Sequence, residues 1–187
     1  VEKFVLDFWY YNSRVCYELI DYLKLDKVAV IGTSGGALVA INLCLEHPDR
    51  INCLIADSFE GEYPLDSYLP SLESDREKGK KNLLARLFWF SNHGFDWEKI
   101  VDQDTKMMID FSKQGKSFFH KSMAELIVPT LLTGSKQDEY CDYLEKIYEA
   151  LKVKNDKLEI HMFDKGKHPA MLTNKDAFHE LVKSKIK

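Results

Sequence analysis

Short apolar runs and helical patterns alternate along the N-terminal part of the chain. Apolar residues recur at helical spacing over 4–23, and an apolar run at 28–31 ends at glycine. A second helical pattern at 37–45 stops before a His-Pro pair, because proline cannot continue a helix, and another apolar run follows at 51–56. Strand, helix and strand in this order predict neighbouring parallel strands joined by a helix.

The segment that follows interrupts this alternation. It contains a polar break at 71–81 and amphipathic helical patterns at 83–90 and 100–111. We therefore predict a helical lid, inserted into the sheet domain over residues 59–125.

The alternation of strands and helices then resumes. Apolar runs at 129–133 and 158–163 predict two more strands, and helical patterns cover 140–151 and 178–186. The predicted fold class is α/β, with a mostly parallel sheet flanked by helices. The predicted core comprises residues 1–58 and 126–187.

Composition narrows the function classes. The 187 residues fit one domain with an insertion, and 26 Lys and Arg against 30 Asp and Glu leave a net charge of −4. With this net negative charge, the chain lacks the overall positive potential that binds nucleic acid, so a nucleic-acid partner is not expected. No apolar run reaches the roughly 18 residues that a membrane span needs. Val1-Glu2-Lys3 carries charge where a signal peptide would be apolar, so none is predicted.

Cysteine usage indicates a reducing compartment. The cysteines lack C-x-x-C spacing, and three of the four lie in apolar segments, as reduced core thiols do. A cytoplasmic location is therefore predicted. Neither the cysteines nor the histidines show metal-ligand spacing, so we expect no metal. The four cysteines are Cys16, Cys44, Cys53 and Cys141.

The sharpest chemical signal is the turn Gly32-Thr33-Ser34-Gly35-Gly36, which matches G-x-S-x-G between a predicted strand and a predicted helix. A turn this tight needs glycine at both flanks, where we expect a side chain to clash. It presents Ser34 as a nucleophile at the positive end of the helix. A plain glycine-rich turn is the alternative. A phosphate-binding loop does not fit, because serine stands where glycine is needed and no lysine precedes it.

A serine nucleophile needs a base and a group that orients the base. His168 follows the last predicted strand, so it would project from the same sheet edge as Ser34. A solvated loop histidine is the alternative for His168. The remaining histidines lie within or beside predicted elements or in the lid: His47, His93, His120, His161 and His179.

The orienting acid should also follow a strand. Asp138 lies in the loop after the strand at 129–133 and is the first choice. Asp57 follows the strand at 51–56 and is the main rival, and Glu139 could substitute if the register of the loop shifts by one. Each could instead be a helix cap or a turn carboxylate.

The order Ser34, Asp138, His168 along the chain resembles the α/β-hydrolase superfamily, whose triad runs serine, acid, histidine. The resemblance covers essentially the whole chain. It implies an incomplete, C-terminal portion of that fold, because members have further strands before this point and a loop there supplies a second oxyanion-hole N–H. Gly35 N–H is the one oxyanion donor that we can place.

The resemblance implies a serine hydrolase that cleaves a carboxylic ester or related small-molecule acyl substrate, without a metal or organic cofactor. The alternative is a non-catalytic or receptor-like binding protein of the same fold. Some aromatic and Met residues of the insertion could line a substrate pocket, although residues at helical spacing are more often core. The candidates for the pocket are Trp89, Phe95, Trp97 and Met108.

Overall fold

The computed structural model describes residues 4–65, 69–141 and 143–186. The charged N-terminal residues 1–3 and positions 66–68 of the predicted insertion lie outside this description. The α-helices are α1 (Phe8–Tyr22), α2 (Gly35–Glu46), α3 (Leu69–Lys81), α4 (Leu83–His93), α5 (Trp97–Ser112), α6 (Leu144–Lys154), α7 (Ala170–Thr173) and α8 (Lys175–Lys185). The strands are β1 (Val28–Thr33), β2 (Ile51–Asp57), β3 (Thr130–Ser135) and β4 (Glu159–Phe163).

The four strands form one parallel sheet in the order β1-β2-β3-β4. Thr33 pairs with Asp57, and Asp57 pairs with Thr133, so the carboxyl ends of three strands are level. Because parallel strands end at one edge, the loops after β1, β2 and β3 leave the sheet side by side. The parallel sheet and its helical crossovers confirm the predicted α/β class.

The core lies on both faces of this sheet. All residues of β3 are buried, as expected for a strand covered on two sides. The helix α2 is apolar almost all round and buries most of its length, including Leu38 and Ile41. A second cluster joins β2, β3 and β4 to the C-terminal helices through Ile55, Leu131, Phe163, Ala170 and Phe178.

The chain divides into two compact units. The larger comprises Trp9–Glu62 and Ser117–Lys187 and contains the sheet. The smaller comprises Tyr63–Lys116 with the N-terminal residues up to Phe8. The smaller unit contains α3, α4 and α5, and its role as a lid stays a prediction.

The polar break predicted at 71–81 is wrong, because these residues belong to the helix α3. Leu72 is the buried residue of this helix. Ion pairs within the helix join Lys78 to Asp75, and Arg76 pairs with Asp104 of α5 at 3.0 Å. In a helix with so little apolar surface, such charge pairs add to the helix's stability.

Membrane-spanning candidates are absent from the described part of the chain: none of its helices is both long and apolar enough.

Candidate active site

Ser34 occupies the turn between β1 and α2 in a backbone conformation that side chains rarely adopt, with φ 54° and ψ −130°. The turn is held to the next strand by the Ser34 N–H, which donates to the Asp57 carbonyl at 2.8 Å. A Cβ at Gly32 would lie 2.4 Å from the Gly36 carbonyl oxygen, so the close backbone approach requires glycine there.

The expected clash at the second flank of the turn is wrong. A Cβ at Gly36 would meet no atom within 4 Å outside its own helix. The reason is that Gly36 contributes its carbonyl, not its α-carbon, to the tight contact with Gly32. Only the first glycine of the pair is therefore sterically required.

His168 lies between Ser34 and Asp138. Its Nε2 is 2.9 Å from Ser34 Oγ, and its Nδ1 is 2.9 Å from Asp138 Oδ2. Asp138 has no hydrogen to donate when ionised, so Nδ1 carries the proton and Nε2 accepts from the serine hydroxyl. The structure thus brings together the three side chains that the sequence selects, across the loops after β1, β3 and β4.

The loop after β3 orients the Asp138 carboxylate. Its Oδ1 accepts hydrogen bonds from the backbone N–H groups of Tyr140 and Cys141, at 2.9 and 3.0 Å. Burial alone would raise the pKa of Asp138, but the hydrogen bonds from His168 and these two N–H groups outweigh it and lower the pKa. Asp138 is therefore held in the ionised form. Because this turn occupies the residues around 140, the helix predicted to begin there, α6, begins at Leu144 instead.

Glu139 lies beside the acid but contacts the backbone of the histidine, not its ring. Its Oε2 accepts a hydrogen bond from the His168 N–H at 3.0 Å. The contact ties the loop after β3 to the loop after β4. The geometry therefore assigns Asp138, and not Glu139, to the imidazole.

Asp57, the rival candidate acid, is buried, and its carboxylate oxygens accept hydrogen bonds from groups other than the histidine. Its Oδ2 accepts from Thr33 Oγ1 at 2.9 Å and from the Met171 N–H at 3.0 Å, and its Oδ1 accepts from Thr133 Oγ1 at 2.8 Å. Burial raises the pKa of Asp57, and these hydrogen bonds offset part of the effect. The neighbouring Ser58 Oγ accepts from the Ala170 N–H at 2.9 Å.

Sequence reasoning missed Glu60, a partly buried carboxylate shortly after β2. Burial raises its pKa; the charge of His168 lowers it, and that of Asp138 raises it further. Glu60 therefore lies within electrostatic reach of both groups. Its position in the sequence could have indicated it, because Glu60 follows the end of a strand at the sheet edge that also carries Asp57 and Asp138.

Gly35 is the first residue of α2 and is exposed, so its N–H has no acceptor within the helix. An oxyanion donor must be free of an intrahelical acceptor in this way, and the role of Gly35 stays a prediction.

The four pocket candidates all lie in the smaller unit. Trp97 and Met108 are buried in α5, and Trp89 stacks on Trp97 with ring centres 5.6 Å apart. Phe95 is 94% exposed and meets Phe90 edge-on. Trp97 and Met108 thus contribute to the core of this unit, and a substrate-binding role for any of the four stays a prediction.

Potential metal ligands also meet at the triad. Asp138, Cys141 and His168 each offer a ligand atom, and these atoms lie within 4.8 Å of one another.

Known structures share this fold at low sequence identity. A serine hydrolase from the polyaromatic hydrocarbon-degrading bacterium Cycloclasticus zankles is 17% identical, with a TM-score of 0.65 over 98% of this chain and 72% of that chain. An esterase from Exiguobacterium antarcticum is 18% identical, with a TM-score of 0.63 over 92% of this chain and 71% of that chain.

A meta-cleavage product hydrolase from Pseudomonas fluorescens is 17% identical, with a TM-score of 0.68 over 89% of this chain and 67% of that chain. No protein-family model matches the chain. Together with the parallel sheet and its helical crossovers, these similarities show that the chain has the α/β-hydrolase fold.

Proposed function

We propose that the chain is a serine hydrolase that cleaves a small carboxylic ester or related acyl substrate through an acyl-enzyme intermediate. The observation that carries the proposal is the continuous line of hydrogen bonds from Ser34 Oγ to His168 and from His168 to Asp138, each 2.9 Å long. The serine hydrolase and the esterase among the similar structures support it.

In the first half of the reaction, Ser34 Oγ attacks the acyl carbon while His168 Nε2 takes the hydroxyl proton. Asp138 holds the ring in the required tautomer and stabilises the imidazolium that forms. The carbonyl oxygen becomes an oxyanion, which the Gly35 N–H and the N-terminus of α2 stabilise. His168 then gives the proton to the leaving alcohol, and Ser34 remains acylated.

Water completes the cycle. It attacks the acyl group, gives a proton to His168 Nε2 and forms a second oxyanion. As this collapses, the proton returns to Ser34 Oγ and the carboxylic acid leaves. These steps use the three side chains, the backbone N–H groups at the start of α2, and water. The cytoplasmic location drawn from the cysteines remains a prediction.

The proposal predicts burst kinetics with activated esters such as p-nitrophenyl acetate and butyrate. We expect one nitrophenolate per chain in the first turnover and a loss of about 10⁶-fold in kcat for Ser34→Ala. Thr33→Ser is the matched control, because it changes a neighbouring hydroxyl residue and keeps the hydroxyl that donates to Asp57. Equal rates above background for the wild type and Ser34→Ala, with both folded by circular dichroism, would contradict Ser34 as the nucleophile. Background rates in both would favour the binding-protein alternative.

A further inference from the structure

The loop after β3 places a thiol beside the candidate triad. Cys141 is 6% exposed, and its backbone N–H donates to Asp138 Oδ1 at 3.0 Å. The side chains of His168 and Asp138 are 13% and 1% exposed. An imidazole nitrogen, a thiol sulfur and a carboxylate oxygen therefore share an enclosed space, within 4.8 Å of one another.

This donor set is one that Zn²⁺ favours. Zinc sites combine imidazole, thiolate and carboxylate ligands at about 2.0–2.3 Å, and a set of three protein ligands leaves a fourth position for water. The hard cations Mg²⁺ and Ca²⁺ prefer oxygen ligands alone and fit the thiol poorly. Ligands at these bond lengths lie roughly 3.5 Å apart around a tetrahedral ion. The three ligand atoms lie within 4.8 Å of one another, so side-chain shifts of about 1 Å would complete the site.

We propose that Asp138, Cys141 and His168 Nδ1 bind Zn²⁺, and that the bound ion reversibly switches off the hydrolase. His168 Nδ1 is the ring nitrogen assigned to the metal because it already faces Asp138, whereas Nε2 faces Ser34. The regulatory consequence rests on the proposed function; the metal site itself does not.

Inhibition follows from the tautomer of the histidine. When Nδ1 coordinates the metal, a neutral imidazole carries its proton on Nε2. Nε2 then has no lone pair for the proton of Ser34 Oγ, so the base is lost. The metal also takes the Asp138 oxygen that would stabilise an imidazolium. The hydroxyl of Ser34 remains in place but is no longer activated.

Metal binding changes the protonation of two of the three ligands. The Nδ1 proton leaves and one proton binds Nε2, so the imidazole stays neutral. The Cys141 thiol loses its proton to become the thiolate ligand, and the Asp138 carboxylate is already ionised. Binding therefore releases one proton per metal ion, and nothing is oxidised or reduced.

The first test uses Co²⁺ as a spectroscopic substitute and needs no enzyme activity. We expect a thiolate-to-cobalt charge-transfer band on titration of the wild type, competed away by Zn²⁺. Cys141→Ala and Cys141→Ser should lose the band, whereas Cys53→Ala, which removes a partly buried cysteine at the start of β2, should keep it. A band that survives in both folded Cys141 variants, or no band in the wild type, overturns the site.

The second test measures ester hydrolysis against free Zn²⁺, with each variant compared with its own metal-free rate. We expect full inhibition of the wild type, reversal by a chelator, and a zinc inhibition constant raised by about 10- to 100-fold or more in Cys141→Ala. A cobalt band together with undiminished hydrolysis overturns the switch. A chain without any esterase activity contradicts the proposed function, while the cobalt titration still decides the site.

Discussion

The Asp57 carboxylate joins residues from each of the three segments that carry a member of the candidate triad. Thr33 precedes the nucleophile, Thr133 lies on the strand that leads to Asp138, and Met171 follows the loop of His168. One buried side chain thus fixes the ends of β1, β2 and β3 against the start of α7. We interpret Asp57 as a positioning residue that does not touch the substrate.

Replacing Asp57 tests this interpretation. Asp57→Ala leaves the Met171 N–H without its acceptor and should lower kcat by about 100-fold, since small misplacements of catalytic groups are costly. It should also lower the free energy of unfolding by about 1–3 kcal/mol. Asp57→Asn keeps a carbonyl oxygen for Thr33 and Met171 and should restore most of kcat. Equal kcat values for the wild type and the alanine variant would exclude a positioning role.

Asp138→Asn should remove the orienting charge with little change in shape. An amide can donate to the imidazole and favour the wrong tautomer, so we expect kcat to fall by about 10⁴-fold. KM should change much less, because the amide leaves ground-state binding intact. A loss of less than tenfold would show that another carboxylate, such as Glu60, serves the histidine.

The lowered pKa of Asp138 also predicts a pH dependence of stability. As the pH falls, the unfolded chain binds a proton at this carboxyl at a higher pH than the folded chain does. The stabilisation is therefore fully present above about pH 4. It is lost as the pH falls through the lower folded value. Denaturant unfolding should therefore show a gap between the wild type and Asp138→Asn that shrinks in acid. A gap that is constant with pH contradicts the shift.

At the scale of single residues, the sequence pattern was most informative where side chains follow strand ends. Ser34, His168 and Asp138 could be selected because their loops leave one edge of a parallel sheet. Glu60 and the contacts of Asp57 were not predictable in this way, since they depend on side-chain directions and burial that only the folded loops define.

At the scale of elements, the turn before α2 is defined by one steric contact. Gly32→Ala would place a methyl group 2.4 Å from a backbone oxygen, so the turn must shift. We expect this variant to lose activity and several kcal/mol of stability. Gly36→Ala is the matched control, because its Cβ position is open, and it should fold and retain activity. Similar losses in both variants would contradict this account of the turn.

The helix α3 shows why one element escaped prediction. It has too few apolar residues for them to recur at helical spacing, so the sequence predicts a polar break and not a helix. The opposite charges at three-residue spacing, such as Asp75 with Lys78 and Glu77 with Lys80, were the available signal. Strands β2 and β3 were predictable because buried parallel strands are short apolar runs, whereas β1 and β4, at the two edges of the described sheet, are only partly buried.

At the scale of the whole molecule, the larger unit exposes an apolar stripe along α1. Tyr11, Val15, Leu19 and Tyr22 recur at helical spacing and are 45–82% exposed. The strand β1 is an edge of the described sheet, and its Ile31 is also exposed. An exposed apolar helix face and an unpaired strand edge both promote association.

Substitution in this stripe should therefore change solution behaviour without changing the fold. We expect the wild type to bind a hydrophobic dye and to gain apparent mass with concentration in light scattering. Val15→Lys with Leu19→Lys should reduce both effects, whereas Val153→Lys, at an exposed position of α6 outside the stripe, should not. A wild type that stays monomeric and leaves the dye unbound contradicts the prediction.

The claim that Ser34 is an activated nucleophile is tested most directly by a fluorophosphonate probe and mass-spectrometric mapping of the labelled peptide. We expect one adduct per chain, on Ser34, that is absent in Ser34→Ala and formed far more slowly in His168→Ala. No adduct on the folded wild type, or an adduct whose rate is unchanged in His168→Ala, would contradict it.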